Sequence, residues 1–256
     1  MTERLTQLFG LEGKVALITG GGRGIGRMIA EAFVAAGAAR VYIASRNPEA
    51  AAGIGCIPIA ADLTSEAGCR ALAEEFGARE ARLDILVNNS GASWLAPLET
   101  YPEDQWDRLF QLNLKAPFFL SRALLPALEA AGTADCPARV VNIGSIAGEM
   151  AESQSCHAYG LSKGALHQLT AMLAKELAPR HVAVNAIAPG RFATRMTRGI
   201  TDDPARHARD AAAVPLGRWG CDDDAAGLAL LLASRAGAYL TGTVIPLDGG
   251  TRLLVA

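Results

Sequence analysis

Seven short runs of aliphatic residues punctuate the chain, at positions 14–19, 40–44, 56–60, 83–88, 139–144, 182–188 and 243–247. Within each run the apolar residues are continuous rather than alternating, which predicts strands covered on both faces. Between the runs, apolar positions recur with a helical period at 24–36, 65–80, 103–131, 157–178 and 222–234. Strand, helix, strand, repeated along the chain, predicts a parallel sheet with helices on both sides. No low-complexity linker or abrupt change of composition divides the 256 residues, so the pattern predicts one domain. One crossover is cramped. Only 15 residues separate Arg46 from Asp62, and they must hold a helix as well as the third strand. Positions 47–55 are rich in Gly and Ala and leave space for a vestigial helix, unless loop residues are missing.

Composition narrows the class. Half of the residues are apolar and only 5 % aromatic, so the core is aliphatic and ample enough to exclude disorder. The 27 glycines show no period of three, which excludes collagen. A net charge of −2 leaves no electrostatic footprint for nucleic acid or an anionic membrane. Cys56, Cys69, Cys136, Cys156 and Cys221 are scattered and share no C-x-x-C spacing, so neither a zinc site nor a redox motif is expected. Thiols of that kind suit a reducing compartment. The start, Met1-Thr2-Glu3-Arg4-Leu5, lacks the apolar core of a signal peptide, and no apolar run approaches the roughly 18–20 residues of a membrane span. These features predict a cytoplasmic protein with no nucleic-acid or membrane partner.

The first strand runs into Thr19-Gly20-Gly21-Gly22-Arg23-Gly24-Ile25-Gly26, and a helical pattern follows at once. Glycines there let a backbone approach a pyrophosphate, whose charge meets the helix N-terminus. The spacing is G-x-x-x-G-x-G, not G-x-G-x-x-G, and the same glycines would also serve helix-on-strand packing. The second strand ends in Ala44-Ser45-Arg46, where an NAD site would carry an acid for the ribose 2′-hydroxyl. A guanidinium suits a 2′-phosphate instead. Arg23 could close on that phosphate from the other side, so the expected cofactor is NADP(H).

Tyr159 precedes Lys163 by four positions in a predicted helix, which puts both side chains on one face. An ammonium beside a phenol favours the phenolate and brings its pKa toward the working range. Cys156 and His157 stand next to that Tyr, but nothing in the sequence orients the His, which argues against a Cys/His nucleophile. Asp222-Asp223-Asp224 precedes an apolar helical stretch and reads as a helix start rather than a metal site.

Taken in order, these motifs resemble the short-chain dehydrogenase/reductase family over nearly the whole chain. They are the turn at 19–26, Asp62-Leu63, Asn88-Asn89-Ser90-Gly91, Asn113, Ile143-Gly144-Ser145, Tyr159-x-x-x-Lys163, and Pro189-Gly190 with Thr194. The resemblance implies a single-domain α/β Rossmann fold, a doubly wound seven-stranded parallel sheet with helices on both faces, using residues 1–256. It implies that Tyr159 protonates a carbonyl oxygen, Ser145 fixes that oxygen, Lys163 holds the nicotinamide ribose, and Asn113 supports a water relay. Cofactor contacts would come from Gly20, Gly22, Arg23, Gly24, Ile25, Gly26, Ser45, Arg46, Asp62, Leu63, Asn89, Tyr159, Lys163, Pro189, Gly190 and Thr194. Asp62 would reach the adenine and Asn89 the adenosine side, while Ile187, Pro189 and Thr194 would flank the nicotinamide. Ser90 departs from the usual Ala of Asn-Asn-Ala-Gly. No metal is implied.

Segments 81–89, 165–177, 188–192, 217–220 and 236–250 are similar to NADPH-dependent β-ketoacyl (3-oxoacyl) reductases, including the rhamnolipid-biosynthesis type. That likeness implies reduction of a 3-oxoacyl thioester, on acyl carrier protein or CoA, to the 3-hydroxyacyl product. Arg180 matches a residue that docks the carrier, whereas positions 132–137 obscure the second docking Arg. The alternatives are a reductase or dehydrogenase of a small ketone, sugar or polyol, and a non-catalytic dinucleotide-binding protein. The latter would not need the Ser, Tyr and Lys set. Residues 191–216 would form the substrate lid, where Arg191, Arg195, Arg198, Arg206 and Arg209 outnumber Asp202, Asp203 and Asp210. The apolar faces of 103–131 and 157–178 need covering, and the resemblance implies that these helices pair across two-fold axes in a homotetramer or dimer, which would also account for the tail Leu253-Leu254-Val255-Ala256.

Overall fold

The computed structural model describes residues 3–151 and 155–254. Seven strands, β1 (Val15–Thr19), β2 (Arg40–Ser45), β3 (Ile57–Ala60), β4 (Ile85–Asn88), β5 (Ala138–Ile143), β6 (Val182–Pro189) and β7 (Val244–Leu247), make one sheet in the order β3-β2-β1-β4-β5-β6-β7. Every pairing is parallel. The order reverses between β1 and β4, and a crevice opens beyond their carboxyl ends, where doubly wound sheets bind ligands.

Alternate residues of the central strands feed two cores, while the edge strands β3 and β7 each pack on one. Val15 and Leu17 of β1 pack on one face with Leu72, Phe76, Leu120 and Leu173. Ala16 and Ile18 pack on the other with Ile29, Phe33 and Leu232. Both faces are dry, which is why the runs were continuous rather than alternating. The helices are α1 (Glu3–Phe9), α2 (Gly24–Ala35), α3 (Glu66–Gly77), α4 (Glu103–Phe110), α5 (Ala116–Ala123), α6 (Leu125–Ala131), α7 (His157–Leu177), α8 (Arg198–Thr201), α9 (Pro204–Ala213) and α10 (Asp222–Ala233). As the sequence suggests, the acidic run starts a helix. Asp224 accepts from the Cys221 N–H at 2.8 Å and pairs with Arg218, which holds its carboxyl well below the usual range.

One expectation is corrected and one is met. The stretch 103–131 is not one helix, because a π-helical turn, Gln111–Lys115, separates α4 from α5, and α6 starts anew at Leu125. Pro117 has no N–H to offer the Asn113 carbonyl four residues back, and Pro126 likewise removes a donor. In the β2–β3 crossover the vestigial helix is one 3₁₀ turn, Pro48–Ala51, started by the Asn47 carboxamide accepting from Glu49 N–H. That turn leans on the glycine turn so closely that a Cβ on Gly22 would stand 2.4 Å from the Ala50 methyl. Of the apolar tail, Leu253 and Leu254 are exposed, while Val255 and Ala256 lie outside the described residues, as do Met1 and Thr2.

Candidate active site

The glycine turn is fastened to the end of β4. Thr19 Oγ1 accepts the N–H groups of Asn89 (3.0 Å) and Ser90 (2.9 Å). The Asn89 carboxamide donates back to the carbonyls of Thr19 (2.8 Å) and Gly20 (3.2 Å). A Cβ on Gly26 would lie 2.3 Å from Asn89 Nδ2, and Gly20 turns with φ +66°. Only glycine fits either place. Asn89 therefore shapes the turn, its amide spent on backbone carbonyls. Arg23 enters α2 in extended conformation with no side chain capping the helix, which leaves the first N–H groups facing the crevice.

Arg23, at the start of α2, and Arg46, just after β2, are both exposed, and no carboxylate ends β2. Ser45 donates to the Asn47 carbonyl at 2.6 Å. Asp62 accepts from Thr64 N–H at 3.0 Å in the loop after β3, and Leu63 is buried beneath it. Across the crevice, β6 ends at Pro189, and Gly190 bonds the Leu247 carbonyl at 2.9 Å. Thr194 starts a 3₁₀ turn with a reciprocal cap from Thr197. A Cβ on Gly24 would touch the Thr194 methyl at 3.3 Å, so this segment reaches over the glycine turn, beside Ile25. Ile187 pairs with Ile143 and Ile245 in the sheet below.

Between these walls sit the residues with chemistry. Lys163 is 5 % exposed and donates from Nζ to the Ile143 carbonyl at 2.6 Å. Burial lowers its pKa to about 8, so the ammonium is charged at neutral pH but poorly solvated. Nζ lies 6.0 Å from the centre of the half-buried Tyr159 ring. Ser145, 7 % exposed, follows β5 and accepts from Ala147 N–H at 3.2 Å. Tyr159, Lys163 and Ser145 thus stand together at the carboxyl ends of β4, β5 and β6.

Asn113 is fully buried in the π turn. Its Oδ1 accepts from Ala92 N–H, and its Nδ2 donates to the Ala92 carbonyl and to Ser162 Oγ, all within 3.0 Å. Ser162 passes a bond on to the Tyr159 carbonyl at 2.8 Å. The Asn113 side chain therefore clamps the loop after β4 to α7, and Pro117 has no N–H to offer its backbone carbonyl.

Sequence reasoning missed His167, one turn beyond Lys163 on α7. Its side chain is 10 % exposed, and Nε2 accepts from the Ser145 N–H at 3.5 Å. The i, i+4, i+8 spacing of Tyr159, Lys163 and His167 carried the signal. His157 is placed otherwise, edge-on to Tyr101 at 5.8 Å between ring centres. The segment 191–216 folds as a 3₁₀ turn, α8 and α9, with Arg191 3.4 Å from Asp210 and the Trp219 indole donating to Asp210 at 2.9 Å. Arg180 is paired with Glu129.

A crevice at the reversal of a parallel sheet, with an open helix N-terminus on one wall and a Tyr–Lys pair on the other, defines a dinucleotide-dependent oxidoreductase. Residues 20–252 match a family model described as enoyl-(acyl carrier protein) reductase, and the chain belongs to the short-chain dehydrogenase/reductase family. It is 53 % identical over 253 residues, 96 % of this chain and 98 % of the relative, to the rhamnolipids biosynthesis 3-oxoacyl-acyl-carrier-protein reductase of Pseudomonas aeruginosa. It is 38 % identical over 250 residues, 95 % of this chain and 96 % of the relative, to the L-tagatose-forming galactitol 2-dehydrogenase of Cereibacter sphaeroides. The solved Pseudomonas aeruginosa RhlG/NADP active-site complex matches with a TM-score of 0.93 and 52 % identity, over 96 % of this chain and 99 % of that one.

Proposed function

We propose that this enzyme reduces the ketone of a 3-oxoacyl thioester with NADPH. The observation that carries the reading is the meeting of Tyr159, Lys163 and Ser145 beside a glycine turn flanked by two exposed guanidiniums. The cradle fits a dinucleotide, since no side chain caps α2, and its first N–H groups stand open beside the glycine turn for a pyrophosphate. Arg23, Ser45 and Arg46 would hold a 2′-phosphate, with Asp62 and Leu63 at the adenine and Ile187, Pro189 and Thr194 at the nicotinamide. When bound, NADPH supplies the hydride that adds to the carbonyl carbon.

The chain's own residues handle the oxygen and the proton. The Ser145 hydroxyl donates to the carbonyl oxygen and fixes it near the Tyr159 phenol, which gives up its proton as negative charge develops there. The buried Lys163 ammonium stabilises the phenolate left behind. A water on the Asn113 carbonyl returns the proton from solvent.

The family description names reduction of a carbon–carbon double bond, whereas Ser145 and Tyr159 are paired hydroxyls suited to an oxygen. The 53 % relative's name favours the ketone. Galactitol 2-dehydrogenase keeps a polyol reading as the second choice. Residues 191–216 act as the substrate lid, whose exposed Arg195, Arg198, Arg206 and Arg209 suit the acidic surface of an acyl carrier protein or the phosphates of CoA. Arg180 contributes less to carrier docking than the resemblance implies, because Glu129 already neutralises it. The exposed Trp106, Phe118, Leu161 and Met172 on α4, α5 and α7 suit burial in a homotetramer or dimer. Among the described residues no helix is long and apolar enough to cross a membrane, consistent with a cytoplasmic enzyme.

NADPH and NADH oxidation, measured with acetoacetyl-CoA, crotonyl-CoA and small ketones, tests the reading, together with NADP+ reduction by polyols. Acetoacetyl-CoA with NADPH is expected to give the highest kcat/KM. A higher kcat/KM with NADH, with crotonyl-CoA or with a polyol would contradict it.

A further inference from the structure

His167 lies one turn beyond Lys163 on α7, with its ring against the backbone of the 144–148 segment that carries Ser145. Its ring is wedged between glycines: a Cβ on Gly144 would stand 2.2 Å from Nε2, and one on Gly148 would stand 3.0 Å from Cε1. The 143–145 segment is gripped twice from the same helix. Lys163 Nζ takes the Ile143 carbonyl, and one turn on, His167 Nε2 takes the Ser145 N–H. To accept that bond Nε2 must be unprotonated, so a neutral ring carries its proton on Nδ1. Nδ1 faces Glu149 Oε1 at 3.9 Å, and Glu149 Oε2 is itself 3.2 Å from Arg252 Nη1.

We propose that His167 is a positioning residue: through the Ser145 N–H it fixes the turn on which the Ser145 hydroxyl is presented, with Glu149 and Arg252 backing the ring. This rests on the reading of Ser145 as the hydroxyl that meets the carbonyl oxygen. Burial, and secondarily the Lys163 charge, keep the ring neutral by lowering its pKa to about 4. Gly144 and Gly148 follow from the same arrangement, since any side chain there would displace the imidazole.

Three variants and one spectrum test it. In His167→Met, which fills the space without a strong acceptor, kcat is expected to fall roughly tenfold while the KM for NADPH stays within about twofold. His167→Gln, which restores an acceptor, is expected to recover most of that loss. Wild-type kcat in a folded His167→Met, or equal losses in Met and Gln, overturns the proposal. Nitrogen-15 spectra of the wild-type protein at pH 7 should show His167 as the Nδ1–H tautomer. The Nε2–H tautomer, which cannot accept from Ser145, overturns it even if the Met variant does not fold. Ser145→Ala separates the two levels. If it keeps full turnover, the reading of Ser145 fails; if it loses turnover while His167→Met does not, only the role of His167 fails.

Discussion

At the N-terminal edge of the sheet, the buried charges are tied into structure. Asp84 takes Lys14 (3.0 Å), Arg82 and the Val15 N–H (3.0 Å), which joins the starts of β1 and β4. Glu80 takes Arg40 and the Tyr42 hydroxyl, each at 2.7 Å, and does the same for β2. Arg139, 2 % exposed, donates to the carbonyls of Leu232 (3.1 Å) and Ser234 (3.2 Å), so it caps the C-terminus of α10 from the sheet. At the C-terminal edge, Lys163 is buried against one carbonyl and His167 is held neutral against an N–H, and among the described residues no carboxylate pairs with Lys163. The first edge spends its charges on stability. The second keeps a cation poorly solvated where a phenol can use it; desolvation lowers the pKa values of Lys163 and His167, as it does that of Arg139, but only Lys163 stands beside a phenol.

Variants at the two edges should therefore fail differently. Tyr159→Phe removes the proton donor and is expected to lower kcat by about a thousandfold or more, equivalent to about 4 kcal/mol, with unfolding free energy unchanged. Arg139→Met takes the side-chain donor from the buried Leu232 carbonyl and leaves that of Ser234 with the Gly237 N–H alone, and should cost roughly 2–3 kcal/mol in denaturant unfolding, with kcat intact on the folded fraction. If Arg139→Met lowers kcat without lowering stability, the division between the edges breaks.

Acid separates them next. His167 is neutral and buried in the folded chain, with a pKa of about 4 against an ordinary 6.5, so the unfolded chain binds the proton first. Its contribution makes stability fall as pH drops from 6.5 to 4, by at most about 3 kcal/mol. His167→Met should flatten that part of the stability profile. In the other direction, kcat should decline above pH 8 as Lys163 loses its charge. The smallest effect is at the mouth. Arg46→Ala should raise the KM for NADPH roughly tenfold and leave that for NADH unchanged, with Arg23→Ala behaving alike. Equal losses for both nucleotides would deny the guanidiniums a 2′-phosphate.

The central strands were legible because both faces of β1, β4, β5 and β6 are buried, which writes continuous apolar runs into the sequence. The glycine turn and the Tyr159–Lys163 pair were legible because each is local, within one turn or one helix. What was illegible joins distant positions. Arg139 finds the Leu232 carbonyl 93 residues away, and Ser145 meets His167 across 22 residues. Neither contact leaves a local pattern, because a backbone carbonyl or N–H is present at almost any position. The π turn in 103–131 escaped the helical period because α4 and α5 are eight residues each, about two turns, too short to show the change of phase between them, and Pro117 is the local signal of the break.

The most direct test is the turnover of Tyr159→Phe with NADPH and acetoacetyl-CoA, measured on protein shown to unfold at the wild-type temperature. A loss of about a thousandfold or more in kcat, with NADPH still binding, is the result this account predicts. A folded Tyr159→Phe that retains substantial turnover would contradict it.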